Sequence, residues 1–156
     1  MNQTKFYRPN VAAVIVSSDY PSVKKVFIAE RSDLAGVWQF PQGGIDEGES
    51  SEEALFRELK EEIGTKKVEI IAEYPEWIAY DFPSHIAQKM APFSGQKQRY
   101  YLVRLKEGAV INLETKHPEF KRYRFVGIDE LLGHTAHFKK PVYDQVISHF
   151  RAKGYL

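Results

Sequence analysis

The chain has 156 residues, no cysteine, and 22 basic against 21 acidic residues. That length suits a single domain over residues 1–156, with a core that needs no covalent staple. The composition excludes disulfides and thiolate metal sites, and the near-zero net charge argues against attachment to nucleic acid by bulk charge alone. No apolar run reaches the ~18 residues of a membrane span. Met1 to Pro9 lacks the apolar core of a signal peptide, so a cytoplasmic protein is expected. A monomer is the expectation, with weak self-association as the alternative.

Val11 to Val16 is a short apolar run rich in β-branched residues and reads as a buried strand. Turn chemistry at Ser17 to Ser22 leads to a returning strand over Val23 to Glu30. Asp33 to Gly36 is loop, and Val37 to Phe40 is a short extended piece that Pro41 stops. A glycine-rich turn, Gly43-Gly44 to Gly48, then feeds an acid-dense helix. Ser50 and Glu53 have the form of a capping box, and Gly64 suits the left-handed position past the helix end. Val68 to Tyr74 is a strand, with a possible extension over Pro75 to Tyr80. Asp81 to Gly95 reads as a long connection of the kind that is often functional. Gln98 to Leu105 and Tyr123 to Val126 read as strands, and Lys106 to Pro118 as loop with an extended piece over Val110 to Leu113. Ile128 to Leu132 is a helical turn. Pro141 opens a C-terminal helix, with Val142, Val146, Ile147 and Phe150 at helical spacing. The order β-β-α-β-β-β-α suits an α/β sandwich around a mixed sheet.

On a wheel of 3.6 residues per turn, Glu58, Glu61 and Glu62 share an arc of about 100°. Leu55, Leu59, Ile63 and Phe56 occupy the adjacent arc, so Glu62 borders the buried side. A solvated face is the plain reading, supported by the i,i+4 pairs Glu53–Arg57 and Arg57–Glu61. Against it, Glu58 and Glu62 are like charges at i,i+4, which costs about 0.2–0.5 kcal/mol unless a cation lies between them. Hard carboxylate oxygens suit Mg²⁺ or Mn²⁺, which can bridge phosphate oxygens. Arg57 can fix the Glu61 carboxylate.

Gly43, then Glu49, then Arg57-Glu58-Leu59, Glu61-Glu62 and Gly64, at their fixed spacing, resemble the Nudix box. Thr65 stands where that pattern has an aliphatic residue. Tyr7-Arg8-Pro9-Asn10-Val11, Trp38 to Ile45, Gly95-Gln96-Lys97-Gln98, Pro118-Glu119-Phe120 and Phe138-Lys139 with Val142-Tyr143 extend the resemblance. They are similar to the branch of RNA pyrophosphohydrolases and dinucleoside tetraphosphate hydrolases. The resemblance implies a Nudix-type α/β/α sandwich and a Mg²⁺- or Mn²⁺-dependent hydrolase. The substrate it implies is a 5′-triphosphate RNA end, or alternatively a dinucleoside polyphosphate such as diadenosine tetraphosphate. It assigns Glu58 and Glu62 as metal ligands, Glu61 as ligand or base, and Glu119 and the Gly43 carbonyl as further ligands. Arg57 joins the catalytic group.

On the substrate side, Arg8 and Arg31 can pair with phosphates bidentately, and Lys97 and Lys139 can meet them as point charges. Gln42 and Gln96 belong to the same expected contact set. Tyr80 and Phe138 can sandwich or stack a base. The five histidines, His134 and His137 among them, read as surface or loop residues without a metal signature. Intact Glu58, Glu61 and Glu62 argue against a non-catalytic binding module.

Overall fold

The computed structural model describes residues 5–135 and 137–156, with Leu132 described by its backbone alone. The reading of the N-terminus as free of an apolar leader falls partly on Met1 to Thr4, outside the described residues. In chain order the elements are β1 (Tyr7–Val16), β2 (Val26–Arg31), β3 (Trp38–Gln39), β4 (Gln42–Gly44), α1 (Ser51–Ile63), β5 (Val68–Glu73), β6 (Ile78–Asp81), α2 (Ser84–Met90), β7 (Gly95–Leu105), β8 (Phe120–Val126), α3 (Ile128–His134) and α4 (Lys140–Ala152). Among the described residues, no helix is long and apolar enough to cross a membrane.

One mixed sheet carries the fold. Its path is β3-β2-β1-β7-β5, with β4 added to β1, β6 to β7 and β8 to β2. β1 and β7 run parallel in register from Tyr7↔Gly95 to Val16↔Arg104, and the other pairings are antiparallel. Successive strand side chains point to opposite faces, so β1 feeds two cores at once. Val11, Ala13 and Ile15 pack with Leu55, Leu59 and Ile63 of α1. Ala12, Val14 and Val16 pack with Val142, Tyr143, Val146, Ile147 and Phe150 of α4. Helices on both faces explain why β1 reads as a continuous apolar run rather than an alternating one. The expected α/β/α sandwich with a mixed sheet is the observed architecture.

Several boundaries differ from expectation. Gly43-Gly44 lies in strand β4, paired with Val11 and Asn10, rather than in a turn. The stretch expected as a connection from 81 to 95 contains α2, which has no buried residue and hence no apolar periodicity to announce it. The possible extension of β5 is a separate strand, β6, paired to β7. Both β7 and β8 begin three residues earlier than expected. Val110 to Leu113 takes no strand form; Asn112 instead donates its amide to the Ile63 carbonyl at 2.9 Å and closes the end of α1.

Candidate active site

The acidic helix is fixed at both ends by local chemistry. Ser50 Oγ accepts from the Glu53 amide at 3.1 Å, and the Glu53 carboxylate accepts from the Ser50 amide at 3.2 Å. Gly64 closes the helix in the left-handed region at φ 78°. The expected capping box and glycine stop are therefore both present. Thr65, the departure from the box pattern, is buried, and its Oγ1 accepts from the Lys67 amide at 3.1 Å.

Arg57 organises the carboxylates around it. Nε and Nη2 donate to the two oxygens of Glu49, each at 2.8 Å. Nη1 donates to Glu58 at 2.7 Å and Glu61 at 3.3 Å, and Nη2 reaches the Gly44 carbonyl at 2.7 Å. Every N–H of the guanidinium is thus used. The Arg57 bond, reinforced by the Asp46 amide, holds the Glu49 carboxyl down at about 2. Glu58 shows the opposite balance: burial raises it despite Arg57, and the charges of Glu61 and Glu119 add to the rise. Glu62 is only 6 % exposed. Burial pushes it well above the carboxylate range, helped by Glu58 and Glu119, while its Oε2 accepts from the Gln42 amide at 3.1 Å.

Glu61 stands on the outer flank of the helix, with its side chain 58 % exposed. Glu119 is exposed in the residue before β8, and its carbonyl accepts from the Ser32 amide at 2.9 Å. Its charge reaches both Glu58 and Glu62. Among the described residues no three Asp, Glu or His side chains converge into a closed ion cage. The bonds to Arg57 account for this, since they draw Glu58 and Glu61 toward it. Two carboxylates strained toward neutrality by burial and mutual repulsion, with a third charge beside them, fit a hard divalent cation, which would relieve all three.

Gly43 is required by close approach. A Cβ placed there would lie 1.9 Å from the Glu58 carboxyl carbon. Gly43→Ala is expected to displace Glu58 and lower kcat/KM about 10²-fold, the cost of misplacing a reacting group by about 1 Å. Steady-state kinetics checks this, and wild-type kcat/KM in a folded variant would refute it.

The other face of β4 meets a buried polar network. Gln98 is fully buried. Its Nε2 donates to Asn10 Oδ1 at 2.8 Å and to Gln42 Oε1 at 2.9 Å, while its Oε1 accepts from the Tyr100 hydroxyl at 2.8 Å. Gln42 Oε1 also accepts from Lys139 Nζ at 2.9 Å. Burial and the nearby Arg31 charge lower the Lys139 ammonium to about 7, against the opposing pull of Glu62. The Tyr80 hydroxyl donates to Gln96 Oε1.

Gln42, Tyr80, Gln96, Phe138 and Lys139 thus lie together. Arg8 lies beside them, because a Cβ on Gly44 would fall 2.4 Å from its Nη2. Arg31 is already forked onto Asp33 at 2.8 and 2.6 Å. Lys97 is set apart: strand alternation turns it away from Gln96, and its ammonium sits 5.0 Å over Trp77. Tyr80 and Phe138 touch at a tilt, with ring centroids 5.7 Å apart and planes at 53°. The exposed ring surface is therefore the outer face of Phe138, which is 41 % exposed, and there is no slot between the two rings.

Sequence reasoning missed Asn10, Gln98 and Tyr100 as supports, and it gave His137, a loop residue as expected, no bonding role. His137 is a half-buried loop residue that ties the α3–α4 connection to β3. Its Nε2 donates to the Trp38 carbonyl at 2.9 Å and its Nδ1 accepts from the Lys139 amide at 3.2 Å, which requires the neutral ring. Burial accordingly lowers its pKa. His134 and His149 rest against the rings of Trp38 and Tyr74. A cleft of about 550 Å³ lined by Phe82, Ser84, Pro92 and Phe93 opens near α2, and none of the box glutamates lines it.

A mixed sheet between helices, with a carboxylate-bearing helix laid on a double-glycine strand, defines an α/β/α sandwich of the Nudix type. The chain belongs to the NUDIX domain family, which matches residues 6–147. Members of this family generally work with divalent metal ions. Over all 156 residues, and over the whole of both chains, it is 62% identical to the RNA pyrophosphohydrolase of Campylobacter jejuni. Among solved structures, the E. coli dihydroneopterin triphosphate pyrophosphohydrolase matches with a TM-score of 0.69 at 22% identity, covering 87% of this chain and 92% of that one. The C. elegans Ap4A hydrolase also matches at 0.69, with 18% identity over 94% and 98% of the two chains. These two likenesses concern the fold.

Proposed function

We propose that this chain is an RNA pyrophosphohydrolase, releasing pyrophosphate from 5′-triphosphate RNA and leaving a 5′-monophosphate end that initiates decay. The observation that carries this reading is the end-to-end 62% identity to a relative of that name. An RNA substrate implies a cytoplasmic enzyme.

Glu58, Glu61, Glu62 and Glu119, with the Gly43 carbonyl, would hold Mg²⁺ or Mn²⁺. Such an ion neutralises charge on phosphate oxygens and makes water a better nucleophile. The chain's own residues do the rest. Water adds to phosphorus and gives a proton to a box carboxylate, Glu61 being the exposed candidate. The phosphorus–oxygen bond to the leaving pyrophosphate breaks, and the electron pair leaves with it. Arg57 keeps Glu58 and Glu61 oriented, Lys139 and Arg8 meet phosphate oxygens, and the outer face of Phe138 stacks the base. Gln42 links the two halves, because its amide holds Glu62 and its side chain holds Lys139.

The deciding experiment compares kcat/KM for a triphosphorylated oligonucleotide, diadenosine tetraphosphate and a plain nucleoside triphosphate. Preference for the oligonucleotide is expected, and equal turnover of the nucleoside triphosphate would reject the reading. Phe138→Ala should raise KM for RNA about five- to a hundredfold, the scale of one lost base stack. Unchanged KM and kcat would remove Phe138 from the site.

A further inference from the structure

We propose that the edge strand β8 carries a track for the phosphodiester backbone of the RNA nucleotides that follow the reacting 5′ end, with Arg122 and Arg124 as its contacts. The proposal rests on the RNA reading above. Among the described residues β8 pairs only with β2, so its outer side is a sheet edge. Within it, Lys121, Arg122, Tyr123 and Arg124 are all exposed. Arg122 and Arg124 lie opposite Glu30 and Ile28 in the register, and Ile28 belongs to the core under α4. Alternation therefore puts both guanidinium groups on the sheet face of Lys139 and Phe138 rather than on that of α1.

Both groups stack on Trp38, with guanidinium carbons 5.2 and 4.7 Å from its ring centre. Trp38 is itself buried, and its carbonyl is held by His137, the residue before Phe138. The strip thus follows Glu119 in the chain and is joined through Trp38 and His137 to the segment that carries Phe138. A guanidinium held over an indole ring has already given up much of its rotamer freedom. Arg122 gives its Nε–H to Glu30, while its terminal nitrogens and the whole fork of Arg124 have no carboxylate partner among the described residues. Those N–H groups match phosphate oxygens. Two residues along a strand span about 6.8 Å, a step that successive phosphates of a stretched single strand can follow.

Charge favours the same occupant. Among the described residues, Glu30 is the carboxylate within ion-pair distance of this strip; it takes Arg122 at 2.6 Å and Lys121 at 3.6 Å. Arg124 has no carboxylate within that distance among the described residues, so the strip keeps a net positive charge. Edge charges also deter strand-to-strand association. That role is indifferent to substrate length and predicts no link to the reaction.

The test is the ratio of kcat/KM for a long single-stranded triphosphorylated RNA to that for a triphosphorylated dinucleotide, measured across a salt series. In the wild type the ratio should exceed one and fall as salt rises. Arg124→Gln should lower the ratio about fivefold and reduce the log–log salt slope by about 0.7, the value for one phosphate contact on a single strand. Arg124→Lys, which keeps the charge, should recover most of the slope. A ratio unchanged in Arg124→Gln, or one that ignores salt in the wild type, would overturn the track. A wild type that hydrolyses neither RNA would instead overturn the functional reading and the track with it.

Discussion

Glu62→Gln should lose about 10³-fold in kcat/KM while folding at least as stably as the wild type. The loss is on the scale of a removed acid–base or electrostatic group in an active site. The retained stability follows from the position of Glu62. It is buried beside Glu58 and Glu119, which together with desolvation raise its pKa well above the carboxylate range. An amide of the same shape still accepts from the Gln42 amide but carries no charge to bury. The folded state binds this proton more tightly than the unfolded state. Its stabilising contribution is therefore present below the unfolded carboxylate value of about 4.3 and is lost as pH rises through the raised folded value. Thermal unfolding in a chelator across that window should show the wild type losing Tm with rising pH more steeply than Glu62→Gln. Adding a divalent ion should restore the wild type more than the variant. Full activity in Glu62→Gln, or parallel Tm profiles, would remove Glu62 from the centre of the site.

Substitution of Lys139 should fall on substrate binding. Lys139→Met is expected to reduce kcat/KM about 10- to 100-fold, the worth of a buried charge-assisted bond to phosphate. Lys139 titrates at about 7 in the free protein because it is buried and lies near Arg31. The ammonium, not the amine, attracts phosphate, so kcat/KM should fall as pH rises past about 7. Kinetics at low substrate report this free-enzyme value. Lys139→Arg keeps its charge throughout, so that limb of the profile should flatten even if KM is impaired by the altered geometry. A limb that persists unchanged in Lys139→Arg would mean another group is responsible for it.

The two substitutions probe opposite sides of one strand. Gly43 gives its face of β4 to Glu58, and Gln42 gives the other to Gln98 and Lys139. A three-residue strand thereby couples the acidic helix to the Gln98–Gln42–Lys139 network. This explains why β4 needs two consecutive glycines. A side chain at Gly43 would strike a carboxylate, and one at Gly44 would strike Arg8.

What the sequence determined by itself is what short-range geometry controls. Helical period and end chemistry are local, so α1, its capping box, its glycine stop and the shared arc of Glu58, Glu61 and Glu62 were legible from spacing. The apolar strand β1 and the helix α4 were legible for the same reason. The family resemblance supplied Glu119, which as an exposed carboxylate after a proline carries no signal of its own. Only the tertiary structure decided which distant groups share a site. The pairing of β1 with β7 brings Asn10 to Gln98, and that of β1 with β4 brings Gln42 beside them. Those registers join residues far apart in the chain, and no periodicity encodes them. The same holds for Lys97, which one step of strand alternation turns away from Gln96, and for His137, a loop residue whose two ring nitrogens tie Trp38 to Lys139. Spacing along one helix identifies the chemistry, whereas partners across a sheet emerge only when the chain closes on itself.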